Sequence, residues 1–300
     1  MNVNKKLLFI SRNYKPTFGG MEDLAYGIAT SLAKLVPFKM IVNRGSYKAL
    51  PVFAIKVFIY TLLFGWKYDI IYCNDMLTCF FALPSKIIYK KPITTTIYGL
   101  DINYIFQEPI NAKTRIAKYI YKNIIRFIIK HIDNFIPISK GTKELGAKLG
   151  INSLDVITPG IDTTSYKYNA NTRSELRNKI SSEYKVDKSK VWLFAMGRLV
   201  KRKGVAWFIK NVMPLINDKA ILFIGGGGED ELLIKELSQP YKEKIFVLGR
   251  IPDQLRNDLY LASDFFIMPN IKVESDWEGF GIVSIEASLN GTPVLAANVD

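Results

Sequence analysis

The chain has 300 residues, 49% hydrophobic and 23% charged, enough for a sizeable core and for two medium domains rather than one. A formal net charge of +14 points to anionic partners. With two cysteines, Cys73 and Cys79, and one histidine, His131, the chain lacks the ligands for a zinc cluster or a disulfide framework, and a reducing cytosol is the expected compartment.

The charge is uneven: residues 1–165 carry 22 basic side chains against 10 acidic, whereas residues 166–300 carry 19 against 17. In chain order, "MNVNKKLLFISRNY" reads as a first strand, because its apolar run is too short for a signal-peptide core and no small-residue cleavage site follows. It leads into "NYKPTFGGMEDLAYGIATSL", which sets Gly19 and Gly20 just before a helix. After the strand "KMIVN" comes the most apolar segment, "LPVFAIKVFIYTLLFGW" (50–66). It contains Lys56 and falls short of the roughly 20 residues of a bilayer span, so a buried or interfacial helix is expected. The runs "DIIYCN", "PITTTIYG", "NFIPIS" and "VITPG" complete the expected strands of the first half.

The polar stretch from Ile161 to Lys190 then loses the strand rhythm and reads as a linker and a helix. It places the boundary near 165, giving domains 1–165 and 166–300. Beyond it come "VWLFAMGR", "AILFIG", "IFVLG", "DFFIMP" and "TPVLAA". Runs of this kind, unbroken by polar alternation, suit parallel strands covered on both faces by crossover helices. The expected fold class is α/β, with two Rossmann-like doubly wound domains. The last strand closes at the end of the sequence with no helix after it, so the second domain is expected to be C-terminally incomplete.

Open α/β sheets bind ligands beyond the carboxyl ends of their strands, where glycine turns and helix N-termini approach phosphate. Three glycine turns fit that position: Gly19–Gly20, "GGGED" after "AILFIG", and "EGFG" after "DFFIMPN". In "MGRLVKRKG", Arg198 and Lys203 could set two cations on a diphosphate, while a solvated basic loop containing Lys201 and Arg202 explains the sequence equally well. In "DWEGFGIVSIEA", Glu278 and Glu286 on one helix would stand about 12 Å apart along its axis. A retaining hydrolase pair needs about 5 Å. Gly279 and Gly281 instead predict that the helix starts near Ile282, leaving Glu278 in the loop and Glu286 one turn in, where its carboxylate could accept from a ribose diol.

The ordered succession "FGGMEDLAYGIATSL", "ISKGTKEL", "ITPGIDTTSY", "GRLVKRKG", "IGGGGED", "VLGRIPDQLRNDLYLASDFFIMPN" and "EGFGIVSIEASLNGTPVLA" resembles the family 4 retaining glycosyltransferases of the GT-B fold. The resemblance covers nearly the whole chain. It implies two Rossmann-like domains facing across a cleft, the first for an acceptor and the second for a UDP- or GDP-sugar donor. By motif, Arg198 and Lys203 would hold the diphosphate and Glu286 the ribose. Glu278 and the Gly279–Phe280–Gly281 turn would hold the donor sugar and its phosphate, and Gly19 and Gly20 would give a close backbone wall. The implied reaction is metal-independent glycosyl transfer with retention and no protein nucleophile; the donor is a substrate, and no cofactor is expected. Where the family often has a histidine before the glycine of "TTTIYGLD", this chain has Tyr98; with Asp101 it is the acceptor-side candidate, Asp101 serving equally well as a helix cap.

The helix at 112–132 carries Lys113, Arg115, Lys118, Lys122, Arg126 and Lys130, with no acid between Pro109 and His131. Such a helix suits an anionic membrane surface. The expected acceptor is a glycan or a lipid-linked saccharide in cell-surface polysaccharide or glycolipid assembly. The expected location is the cytoplasm, peripheral to the membrane's inner face. Nucleic acid is disfavoured for want of a recognition motif. His131, closing that helix, is expected to meet its C-terminal dipole. A non-catalytic sugar-nucleotide-binding protein is the alternative, and a sugar-nucleotide epimerase a weaker one.

Overall fold

The structure, a computed structural model, describes residues 4–16, 19–45, 47–106, 111–152, 155–161, 163, 170–216, 218–274 and 276–299. The chain divides into two compact units, Met1–Ile161 and Asp162–Asp300. The boundary expected near 165 lies outside the described residues.

Unit 1 runs β1 (Leu7–Ser11), α1 (Gly20–Leu32), β2 (Phe38–Val42), α2 (Leu50–Phe64), β3 (Ile70–Cys73), α3 (Met76–Ile87), β4 (Ile93–Ile97), α4 (Gly99–Phe106), α5 (Ala112–His131), β5 (Asn134–Pro137) and α6 (Lys140–Lys148). Its sheet is parallel throughout, in the order β2-β1-β3-β4-β5. Local chemistry sets the helix starts: the Asp75 carboxylate accepts from Thr78 N at 3.1 Å, and Asn111 with Thr114 and Ser139 with Thr142 form capping boxes. At the other end of α5, His131 Nδ1 lies 2.7 Å from the Phe127 carbonyl, in the last turn where a basic group meets the helix dipole.

"VITPG" is not a strand. Ile157 N donates to Pro137 O at 3.0 Å, but Pro159 has no N–H to extend the ladder and Ile157 itself is exposed. The apolar segment at 50–66 does form a helix, yet most of it faces outward rather than into the core.

Unit 2 runs α7 (Ala170–Tyr184), β6 (Val191–Met196), α8 (Val205–Asn211), α9 (Met213–Ile216), β7 (Ala220–Gly225), α10 (Glu231–Ser238), β8 (Ile245–Gly249), α11 (Asp253–Ala262), β9 (Phe265–Met268), α12 (Ile282–Leu289) and β10 (Val294–Ala296). The parallel order is β10-β9-β6-β7-β8. Alternation of side chains along the strands feeds two cores. Leu193, Ala195, Leu222 and Ile224 pack with α8 and α10 on one face, while Trp192, Phe194, Ile221 and Phe223 pack with α7 and α11 on the other. Covering both faces is why the strands read as unbroken apolar runs.

Candidate functional site

Each sheet reverses its strand order once, and a crevice opens at the carboxyl ends of the strands flanking that reversal. In unit 2 the reversal lies between β6 and β9. The pocket there is lined by Met196, Gly197, Arg198, Lys203, Met268 and Asn270, so both predicted diphosphate cations reach it.

Two glycine contacts fix the shape of this loop. Gly204 adopts φ +66°, and a Cβ there would stand 1.9 Å from the Pro269 carbonyl oxygen, so only glycine lets the turn after β6 touch the turn after β9. A Cβ at Gly226 would stand 1.8 Å from Gly197 O. The run "GGGED" is therefore a backbone buttress under the Arg198 loop, joined to it by Leu199 N donating to Gly227 O at 3.0 Å.

Glu278 lies in the loop before α12, as the glycines predict, and α12 begins at Ile282 behind Gly281 at φ +74°. Its Oε2 accepts from Lys203 Nζ at 2.7 Å, Arg202 Nη1 at 2.8 Å and Asn270 Nδ2 at 3.3 Å. Burial alone would push the Glu278 carboxyl up; Lys203 and Arg202 outweigh it and hold the group below its ordinary value. Burial also pulls the Lys203 ammonium below its ordinary value against the opposing charge of Glu278. Lys203 is thus a desolvated cation in a pocket, with Arg198 exposed beside it.

Arg202, read from sequence as an ordinary loop charge, is buried and holds Asp276 Oδ1 at 3.1 Å with its Nε while Nη1 holds Glu278. Reasoning from charge alone missed Arg202, Asn270 and Asp276. The available signal was their position: Arg202 lies within "GRLVKRKG", Asp276 just before "EGFG", and Asn270 at the end of "DFFIMPN". Phe280 and Gly279 lie in the same loop and are half-buried. Glu286 stands one turn into α12, where its Oε2 accepts from the buried Tyr260 hydroxyl at 3.0 Å.

In unit 1 the reversal falls between β1 and β3, and a second charged group sits beside it. Arg12 Nε lies 2.9 Å from Asp75 Oδ1, and Arg12 Nη2 lies 3.7 Å from Asp101 Oδ1. Both carboxylates are buried, so two acids share one guanidinium away from water. Burial first, and the charge of Asp75 second, push Asp101 up to about 7 against Arg12. Asp101 Oδ2 also accepts from Tyr98 N at 3.2 Å, the capping role open to it from sequence.

Tyr98 is buried, and its hydroxyl donates to Asn74 Oδ1 at 3.1 Å. The ring thus belongs to the unit 1 interior and its hydroxyl is already committed. Gly19 and Gly20 open α1, and a Cβ at Gly20 would meet nothing within 4 Å among the described residues.

Residues 15–165 match the family described as Glycosyltransferase Family 4, and residues 177–300 match Glycosyl transferases group 1. An uncharacterized glycosyltransferase of Methanocaldococcus jannaschii is 27% identical over 240 residues, 78% of this chain and 58% of that protein. The GDP-mannose-dependent alpha-(1-6)-phosphatidylinositol monomannoside mannosyltransferase of Mycobacterium tuberculosis is 33% identical over 154 residues, 49% of this chain and 38% of that one. The chain thus spans between 38% and 58% of the length of these two relatives. Among solved structures, Anabaena HepE in complex with UDP-glucose superposes with a TM-score of 0.68 at 20% identity, covering 98% of this chain and 81% of that one. The fold is the two-domain α/β GT-B fold.

Proposed function

The chain belongs to glycosyltransferase family 4, and on that premise we propose that it moves a sugar from a nucleoside-diphosphate sugar to a glycan or lipid-linked acceptor, with retention and without a metal. One observation carries the reading: at the strand reversal of unit 2, the half-buried Lys203 and the exposed Arg198 line one pocket, and Lys203 also pairs with Glu278 at 2.7 Å. Two cations there can take the charge of a departing diphosphate electrostatically, the task a metal performs elsewhere.

The roles follow from position. Arg198 and Lys203 meet the diphosphate; Glu286, oriented by Tyr260, accepts from the ribose; Glu278 and the Gly279–Gly281 turn meet the donor sugar. HepE, described in complex with UDP-glucose, and the mycobacterial enzyme, described as GDP-mannose-dependent, support a UDP- or GDP-sugar as donor. Buried free thiols at Cys73 and Cys79 suit a cytoplasmic protein. The basic helix α5 supports an acceptor held at an anionic membrane surface.

The test is nucleotide binding followed by turnover. Lys203→Ala is expected to weaken binding of a nucleoside diphosphate far more than that of the free nucleoside, and equal loss for both would remove its phosphate role. Mass spectrometry after incubation with a panel of UDP- and GDP-sugars identifies the donor. Tight binding with no hydrolysis or transfer across the panel would favour a sugar-nucleotide-binding protein, for which the buried, committed Tyr98 is the supporting observation.

A further inference from the structure

Helix α2 has the composition of a core helix and the exposure of a surface one. Over Leu50–Lys67 the mean hydropathy is 1.5, yet only 22% of the segment is buried. Its inner side, Phe53, Val57 and Thr61, packs on unit 1. On the opposite side Val52, Ile55, Ile59 and Leu63 follow one another at spacings of three and four residues, forming one aliphatic stripe that is 47–70% exposed. An aliphatic stripe turned to water over about three helical turns is costly unless something covers it.

The surrounding charge identifies the cover. No acid occurs between Asp23 and Asp69, while Lys48, Lys56 and Lys67 occur within or beside the helix. Trp66 is 57% exposed at its C-terminal end, and Lys67 Nζ lies 5.4 Å from the Trp66 ring centroid. An aromatic ring and a lysine at the end of an apolar stripe match the headgroup level of a bilayer. Helix α3 packs against both α2 and α5, so the stripe and the basic helix belong to one helical layer on one face of the unit 1 sheet. On α5, Ile116, Tyr119 and Ile120 are exposed among the basic side chains.

We propose that α2 is a membrane-insertion helix that lies in the surface of an anionic bilayer, with α5 as its electrostatic partner. The helix does not leave the domain to span the membrane. Thr61 Oγ1 donates to Phe81 O at 3.3 Å, the Tyr89 hydroxyl donates to Leu62 O at 2.7 Å, and a Cβ at Gly65 would stand 2.4 Å from Ser85 Oγ, so α2 is fixed along α3. Lysine stems can carry their charges up to the phosphates while the stripe enters the acyl boundary.

The inference rests on the membrane-surface reading of α5 and is separable from it. The purified chain is sedimented with vesicles of phosphatidylcholine alone and of phosphatidylcholine with phosphatidylglycerol, at low and moderate salt. The wild type, Ile55→Glu/Ile59→Glu and Lys113→Gln/Arg115→Gln/Arg126→Gln are compared after circular dichroism shows each to be folded. The wild type is expected to bind the anionic vesicles, and the double glutamate variant to lose roughly tenfold or more in partitioning, since two charges replace apolar side chains in the inserted stripe. Quenching of Trp66 by brominated acyl chains, absent in Trp66→Phe, would place the helix at depth. Equal binding by wild type and glutamate variant would overturn the role of α2 while leaving that of α5. Failure of the wild type to bind would overturn both. A wild-type dimer that the glutamates convert to a monomer would assign the stripe to a second copy of the chain instead.

Discussion

Lys203 Nζ and Glu278 Oε2 stand 2.7 Å apart, so the cation assigned to the donor's diphosphate is already neutralised by the carboxylate assigned to the donor's sugar. A diphosphate must therefore compete with Glu278 for Lys203. When it succeeds, Arg202 Nη1 at 2.8 Å and Asn270 Nδ2 at 3.3 Å remain to hold Glu278 in place. Arg202 makes the exchange tolerable, since without it a half-buried carboxylate would lose its only other cationic partner among the described contacts.

Glu278→Gln removes the competitor. Free nucleoside diphosphate is expected to bind about tenfold more tightly, roughly 1.4 kcal/mol, while transfer falls by about a hundredfold for loss of a sugar contact. Calorimetry with UDP and GDP, together with a transfer assay, checks both; weaker nucleotide binding would show that Glu278 helps Lys203 instead of restraining it.

Arg202→Ala removes the cation that holds Asp276 and one of the two that hold Glu278, which keeps Lys203. The expected loss of stability is about 3 kcal/mol, the size for breaking a buried pair from one side, and Arg202→Lys is expected to recover part of it without restoring the fork. Urea unfolding followed at the unit 2 tryptophans gives the number.

Glu286 and Tyr260 supply a test of the ribose site. Tyr260→Phe is expected to weaken nucleoside diphosphate binding by about 1 kcal/mol through loss of one hydrogen bond, and to have little effect on a 2′,3′-dideoxy analogue. Equal losses for the two ligands would remove Glu286 from the ribose.

Asp101 gives unit 1 a pH dependence whose sign is unusual for an aspartate. Its pKa is raised from 3.8 to about 7 on folding, so the folded state binds the extra proton between those values. The contribution is complete below pH 3.8 and is lost as pH rises through about 7. Asp101→Asn, which keeps the neutral shape, is expected to flatten the fall in unfolding midpoint across that window. Glu278 acts in the opposite sense: its depressed pKa adds stability above its ordinary range that is lost on acidification.

Much of the fold was legible because parallel strands buried on both faces leave unbroken apolar runs, and ten of the eleven expected strands formed. "VITPG" failed for a local reason, Pro159, that composition does not weigh. The start of α12 at Ile282 was legible because Gly281 takes a left-handed conformation. Partner choice was less legible. Lys201, Arg202 and Lys203 are alike as letters, yet the 3-10 turn at Lys201–Lys203 leaves the first exposed, buries the second under Asp276 and Glu278, and turns the third into the pocket. Tyr98 likewise stands where the motif suggests, and only packing shows that its hydroxyl turns inward to Asn74.

The strand orders of the two sheets also set when each can close during synthesis. In unit 1 the pair flanking the reversal, β1 with β3, is available once Cys73 has emerged, and the sheet is fully paired at Pro137. In unit 2, β6 can pair with β7 soon after it appears, but the β6–β9 pair waits for Phe265 and Phe266. Until then the turn that Gly204 presses against Pro269 has the glycine run after β7 beneath it but lacks the turn after β9. A nascent chain thus carries a finished first sheet long before the pocket between β6 and β9 acquires its second wall.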